Sequence, residues 1–151
     1  MATEPLPKGW LPQEEYEAIY SRVPRLCVEV LITDPRGVLL SLRDHEPCAG
    51  LWHIPGGAVL FGERLVDAVT RVARRELGID VRVGEMVGYI EYPSHYENGL
   101  DSPVGLAFAT EPVTPLPDRL ELVSQCGWFP TPPEPMHPEQ VVWLTERGYW
   151  P

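Results

Sequence analysis

Apolar side chains recur at the spacing of an amphipathic helix between Gly62 and Gly78. At about 100° per residue, one continuous apolar arc is formed by Leu65, Val66, Ala68, Val69, Val72, Ala73 and Leu77. This pattern predicts a helix of about four turns over residues 63–77. Glu63 would lie in the first turn, where the helix dipole favours a negative charge, and Gly78 suits the left-handed position that ends a helix.

Glu76 is the exception to this pattern, because it projects into the middle of the apolar arc. It also lies near the C-terminal end of the predicted helix, where the dipole disfavours a negative charge. An ionised carboxylate partly removed from water needs a cation or several hydrogen-bond donors. Helix geometry therefore leaves three interpretations open: a metal ligand, a side chain that extends past the helix end, or a partner for a core arginine.

The remaining apolar runs are short and rich in β-branched residues, which is typical of strands. A hairpin is predicted around the turn TDPRG, and a short strand in LWHIPGG is expected to lead into a glycine loop and then into the helix. Two further strands are predicted to flank the polar loop PSHYENGLDSP. The predicted strands cover residues 25–32, 38–43, 83–92, 104–110 and 126–129, and short helices are predicted at 12–23 and 139–148.

Mixed strands with one long central helix indicate a single α/β domain. The chain has 151 residues, of which 44% are hydrophobic and 23% charged, as expected for one globular core. We predict an N-terminal extension with a short helix at residues 1–24 and one domain at 25–151.

Composition excludes several classes of protein. No run approaches the length of a membrane span, and the N-terminus lacks the basic and apolar regions of a signal peptide, so a cytoplasmic protein is expected. The net charge of −10 argues against a nucleic-acid partner. The three cysteines show no CxxC spacing, so neither a disulfide framework nor a zinc site is predicted, and Cys27 is expected to be a buried thiol.

The spacing Gly57-x5-Glu63-x7-Arg71, followed by Glu76-x-Gly78, resembles the signature box of the Nudix hydrolases. The preceding LWHIPGG is similar to the strand and glycine loop that lead into that box, and the order of the other elements also agrees.

The resemblance covers roughly residues 25–150 and implies an α/β/α sandwich with a mixed sheet and a central Nudix helix. It implies hydrolysis of a nucleoside diphosphate linked to another moiety, with Mg²⁺ or Mn²⁺ as cofactor. Glu76 and the main-chain carbonyl of Gly56 would bind the metal, and Arg71 would orient the helix or neutralise developing charge. The partner would be a small-molecule nucleotide, and the dimers common in the family leave a homodimer open.

Two positions depart from the usual box, because Val72 and Arg75 stand where the family has glutamates. A unit positive charge about 6 Å from a divalent ion is repelled by roughly 5 kcal/mol at an effective dielectric near 20. Arg75 must therefore turn away, bind substrate phosphate or prevent tight metal binding. One metal remains feasible, since Mg²⁺ commonly needs only one or two protein carboxylates.

A similarly depleted box is found in the GDP-mannose mannosyl hydrolase branch, which displaces the nucleotide at the sugar carbon. The present sequence resembles that branch in its PGG entry to the box, its ELG ending and its loop with His95 and Tyr96. It departs from it before Trp128, where Gln125 and Glu121 replace the expected histidine.

Candidates for the remaining roles come from the loops. His95 or Glu97 would activate water, and Glu97 is alternatively a second metal ligand. Arg43 is a candidate phosphate contact, Tyr96 a candidate for stacking on the base, and Gln125 a candidate substrate contact. His53 is expected to be structural or to line a pocket, whereas His45 and His137 have no distinguishing signal.

The expected function is therefore Mg²⁺-dependent hydrolysis of a nucleoside diphosphate derivative, with a nucleotide sugar as the preferred candidate. The alternative is a catalytically impaired Nudix-like module that binds a nucleotide as a sensor. A third candidate is ordinary pyrophosphate cleavage with carboxylates from the later loops. The sequence leaves the base, the sugar and the cleaved bond undetermined.

Overall fold

The computed structural model describes residues 9–44 and 48–151. The first eight residues of the predicted extension and His45 lie outside the described residues. The helices are α1 (Gln13–Tyr20), α2 (Leu65–Val72), α3 (Pro93–Glu97) and α4 (Pro138–Glu146), and a π-helical turn (Ala73–Leu77) continues α2. The strands are β1 (Arg25–Leu31), β2 (Thr33–Asp34), β3 (Gly37–Leu42), β4 (Trp52–His53), β5 (Gly56–Ala58), β6 (Val81–Glu91), β7 (Pro103–Pro112) and β8 (Cys126–Phe129).

A mixed sheet in the order β5-β1-β7-β6 forms the centre of the domain. Strands β1 and β7 run parallel, and the other pairs are antiparallel. Successive side chains of a strand point to opposite faces. Val28 and Val30 of β1 pack in the core with α2, whereas Leu31 packs in the core with α4. The sheet is therefore covered by a helix on each face, which confirms the predicted α/β/α sandwich.

The second sheet is antiparallel, with the order β2-β3-β4 and β8 paired to β3. The predicted hairpin of residues 25–43 is divided between the two sheets. After Ile32 the chain leaves the central sheet, and the short β2 pairs with β3 in place of β1. Both edges of β1 are already paired, with β5 and with β7, so the next strand has to pair in a different sheet.

The glycine segment differs from the predicted loop. Gly56–Ala58 forms the edge strand β5, which pairs with β1 so that Gly56 lies opposite Glu29. The predicted polar loop between β6 and β7 contains the short helix α3, which Pro93 begins at a position favourable for proline. No helix in the described part of the chain is long and apolar enough to cross a membrane.

The central helix begins at Leu65, two residues later than predicted, so Glu63 precedes it. Five of the seven residues on the predicted apolar arc are buried, whereas Val66 is 51% exposed. The helix ends at Gly78, which has a φ of 72°, as expected for a left-handed terminal glycine. The π-helical turn changes the angular position of Arg74, Arg75 and Glu76 relative to a regular α-helix.

Candidate active site

Arg71, in the last turn of α2, joins the central helix to the segment before it and to the glycine strand. Arg71 donates from Nε to Glu63 Oε2 at 2.8 Å and from Nη2 to Glu63 Oε1 at 3.0 Å. Its Nη2 also donates to the carbonyl of Ala58 at 2.7 Å. Burial raises the pKa of Glu63, but the hydrogen bonds from Arg71 and the Leu60 amide lower it further, so the pKa lies below its ordinary value. Arg71 thus pairs with Glu63 and orients α2 against β5.

Glu76 lies half-buried in the π-helical turn. The loop before β8 packs against this turn, and the Ser124 hydroxyl donates to the carbonyl of Glu76. Burial and the adjacent charge of Glu76 raise the pKa of the Cys126 thiol to about 11. Gln125 lies between Ser124 and Cys126 in the chain, and its side chain is exposed. The structure therefore brings two predicted site residues, Glu76 and Gln125, to the same end of the helix.

Arg75 turns towards the N-terminal segment. Its guanidinium lies 4.5 Å from the centre of the Trp10 ring, in a cation–π contact. This contact agrees with the expected outcome in which the cation turns away from Glu76. A larger distance between Arg75 and a metal held by Glu76 would reduce their repulsion.

Gly56 and Gly57 each let a different side chain approach the backbone closely. A Cβ atom at Gly57 would lie 3.1 Å from a methyl group of Val72, so this glycine lets α2 pack onto β5. A Cβ atom at Gly56 would lie 2.5 Å from Glu29 Oε2. Gly56 therefore makes room for a buried carboxyl group beside the carbonyl that the family resemblance assigns to the metal.

Glu29 is a site residue that the sequence analysis missed. Its side chain is buried, and Oε1 accepts a 2.7 Å hydrogen bond from the Tyr92 hydroxyl. Gln140 donates to the same hydroxyl at 2.9 Å and accepts from the amide of Ile54 at 2.8 Å. Burial raises the pKa of Glu29 to about 7, against the effect of the Tyr92 hydrogen bond. The available signal was a lone carboxylate in the apolar run RLCVEVLI.

His95 lies at the centre of a polar cluster on the α4 face of the central sheet. Its Nδ1 is 2.8 Å from Asp101 Oδ1, and Arg25 donates to Asp101 Oδ2 from Nε at 2.8 Å. Burial raises the pKa of Asp101, but the hydrogen bond from His95 and the charge of Arg25 lower it well below its usual range. His95 Nε2 lies 2.8 Å from Nε2 of His137, a residue that sequence analysis left without a role. Burial and the neighbouring His95 lower the pKa of His137 to about 4.

The other predicted site residues lie on α3 and at the end of β3. Tyr96 and Glu97 are exposed on α3, next to His95. Arg43 follows β3, and its charge acts on His137 together with that of His53. Both ring nitrogens of His95 are engaged, whereas Glu97 remains open to solvent.

Comparison with known proteins agrees with the geometry of the helix and glycine strand. The family model described as NUDIX domain matches residues 23–144. The chain belongs to the Nudix family. The low-salt glycan biosynthesis protein Agl8 of Haloferax volcanii is 42% identical over 137 residues, which cover 87% of each chain. An ADP-ribose pyrophosphatase of Methanocaldococcus jannaschii is 30% identical over 76 residues, covering 50% of this chain and 45% of that protein.

Solved structures agree with the Nudix assignment. The MutT NUDIX hydrolase from Burkholderia pseudomallei superimposes with a TM-score of 0.63 at 28% identity, covering 82% of this chain and 97% of that one. Nudix hydrolases generally use divalent cations such as Mg²⁺. The carboxylate of Glu76 and the carbonyl of Gly56 are oxygen donors of the type that Mg²⁺ prefers. Glu63 does not join this set, because Arg71 contacts both of its oxygens.

Proposed function

We propose that this Nudix protein is a Mg²⁺-dependent hydrolase of a nucleoside diphosphate derivative, with a nucleotide sugar as substrate. The observation that supports it best is a single half-buried carboxylate, Glu76, held beside the exposed Gln125 at the end of the central helix. A related protein named for glycan biosynthesis is consistent with a sugar-containing substrate.

Each residue then has a defined task. Glu76 and the Gly56 carbonyl hold the cation, which when bound offsets the negative charge of the diphosphate. Arg71 is a positioning residue, because its contacts with Glu63 and Ala58 hold the helix against the glycine strand. Gln125 contacts the substrate from the loop that packs on Glu76.

The α3 segment supplies the other proposed contacts. Glu97 is the preferred proton acceptor for the attacking water, because both ring nitrogens of His95 already have partners. The exposed ring of Tyr96 stacks on the nucleotide base, and Arg43 contacts a phosphate. Replacement of Glu97 by Gln should lower kcat more than it changes KM, since the residue would act on water and not on substrate binding.

A second function belongs to a different class. The depleted box, with Val72 buried and only Glu76 left of its C-terminal carboxylates, favours a module that binds a nucleotide without turnover. Pyrophosphate cleavage assisted by a carboxylate from a later loop is the third candidate. These functions differ in their products, so one assay separates them.

The test is turnover of a panel of nucleoside diphosphate sugars, ADP-ribose and dinucleotides with Mg²⁺, followed by phosphorus and anomeric proton NMR. Glu76→Gln is compared with Glu121→Gln, which removes an exposed carboxylate that lies 3.9 Å from Arg119. Release of intact nucleoside diphosphate that is lost only in Glu76→Gln supports sugar-carbon displacement. Release of nucleoside monophosphate indicates attack at phosphorus. Nucleotide binding without turnover, unchanged in Glu76→Gln, would overturn the proposal in favour of a sensor.

A further inference from the structure

The cluster around His95 contains a third side chain with a metal-binding atom. Cys48, in the connection between β3 and β4, has its Sγ 4.0 Å from His95 Nε2. The Sγ of Cys48 and the nearest nitrogens of His95 and His137 all lie within 4.8 Å of one another. The three residues come from separate connections of the chain, so their convergence is a tertiary feature. None of them has a part in the Mg²⁺ site proposed above.

The positions of the protons make this cluster unusual. Asp101 accepts from His95 Nδ1, and Glu139 Oε2 lies 3.3 Å from His137 Nδ1. Neither His137 Nδ1 nor Glu139 Oε2 forms a hydrogen bond with any described residue, although both atoms are buried. An ionised carboxylate only accepts hydrogen bonds, so Asp101 places a proton on Nδ1 of His95, and the nearby Glu139 favours a proton on Nδ1 of His137. The two Nε2 atoms lie only 2.8 Å apart, a separation at which they share either one proton or one metal ion.

The spacing of the three atoms is close to that around a tetrahedral transition metal. Zinc binds histidine nitrogen at about 2.0–2.1 Å and thiolate sulfur at about 2.3 Å, which separates two nitrogens by about 3.4 Å and nitrogen from sulfur by about 3.6 Å. The observed values are 2.8 Å for the nitrogens and 4.0 Å for nitrogen and sulfur. Cys48 Sγ and the nearest nitrogen of His137 lie within 4.8 Å. Side-chain shifts of about 1 Å would bring all three atoms into the coordination distance of one ion.

We propose that Cys48, His95 and His137 bind a transition-metal ion of the zinc class, at a site distinct from the oxygen ligands at Glu76. Thiolate and imidazole ligands favour zinc, cobalt or nickel over magnesium. Asp101 and Glu139 orient the two histidines from behind, as carboxylates do at histidine-bound metals. Arg25 forms an ion pair with Asp101. The positive charge of Arg43 disfavours a cation at His137, and the carboxylate of Glu139 acts in the opposite direction.

Bound metal would join three connections of the fold. These are the β3–β4 connection, the helix α3 and the segment before α4. Three protein ligands leave the fourth position of a tetrahedral ion open to solvent or to an added ligand. The site therefore combines a structural cross-link with an accessible coordination position.

The test uses the full chain with Co²⁺ as a spectroscopic probe for zinc. A thiolate ligand gives a charge-transfer band in the near ultraviolet, and titration in the presence of excess Mg²⁺ gives its stoichiometry and affinity. We expect one Co²⁺ per chain, displaced by Zn²⁺, with the band lost in Cys48→Ser. Cys126→Ser is the matched control, because it removes another partly buried thiol that lies beside Glu76.

Further variants separate this site from the Mg²⁺ site. Asp101→Asn should weaken Co²⁺ binding about 10–100-fold, as loss of an outer carboxylate does. Glu76→Gln should leave the band unchanged, even if it abolishes turnover. The proposal is overturned if Co²⁺ gives no thiolate band, or if the band survives in Cys48→Ser or disappears in Cys126→Ser. Should Asp101→Asn fail to fold, the loop variant Cys48→Ser decides the question alone.

Discussion

The ion pair between Arg71 and Glu63 allows a quantitative prediction for Arg71→Ala. The change removes two hydrogen bonds to Glu63 and one to the Ala58 carbonyl. The two charged side chains are only 16% and 14% exposed. Exposed pairs contribute about 0–1 kcal/mol, whereas breaking a buried pair costs about 3–5 kcal/mol, so about 2–4 kcal/mol is expected here. For a chain of this size the melting temperature should fall by about 5–15 °C.

The control is Arg74→Ala, which breaks an ion pair with Asp80 in which both side chains are about two-thirds exposed. That variant should lose at most about 1 kcal/mol. Urea unfolding followed by tryptophan fluorescence gives both free energies by linear extrapolation. If Arg71→Ala loses no more stability than Arg74→Ala, the pair does not hold the helix to the glycine strand and the assigned positioning role is refuted.

The pH dependence of the same variant provides an independent check. The folded-state pKa of Glu63 lies below its unfolded value, so its stabilising effect is complete above the unfolded pKa and is lost as the pH falls through the folded pKa. The difference in unfolding free energy between wild type and Arg71→Ala should therefore be largest near pH 7 and shrink below about pH 4. A difference that stays constant from pH 7 to pH 3 would exclude an ionic origin.

Two other predictions concern Tyr92, which donates to Glu29, and Trp10, which contacts Arg75. Tyr92→Phe removes the donor to Glu29 and should lower the unfolding free energy by about 1–3 kcal/mol, while Tyr89→Phe on the exposed face of β6 should have no effect in the same urea titration. Trp10→Ala should release Arg75 and raise the Mg²⁺ concentration needed for half-maximal nucleotide turnover. Adding Arg75→Gln to Trp10→Ala should restore the original Mg²⁺ dependence, and a failure to restore it would contradict the electrostatic explanation.

The sequence predicted the central helix, its terminal glycine and β8 because each depends on local periodicity or turn chemistry. It also predicted the Nudix box, because the box is defined by the spacing of residues along the sequence. The π-helical turn was not predictable, since a wheel at 100° per residue assumes a regular helix throughout. The division of residues 25–43 between two sheets depends on the pairing of both edges of β1 with β5 and β7, which is a tertiary property.

The polar groups show the same division between local and tertiary information. His95 was selected for its residue type, but its partners Asp101 and His137 could be identified only in the fold, because they lie on different connections. Cys48 had no sequence signal, since its neighbours in the cluster are far from it along the chain. Glu29 had a signal, a carboxylate inside an apolar strand, and its meaning depended on the glycines that the fold places beside it.

The π-helical turn makes the position of Glu76 depend on the number of residues in the helix as well as on their identity. Deleting one residue within Ala73–Leu77 would permit regular i to i+4 hydrogen bonding and a smoother helix. A π-helical turn holds one residue more than an α-helical turn over about the same rotation, so the deletion would leave Gly78 near its present direction and would move Glu76 within the turn. The direction of the Glu76 carboxylate therefore depends on the length of this turn, so a one-residue deletion moves the carboxylate even where it leaves the rest of the helix unchanged.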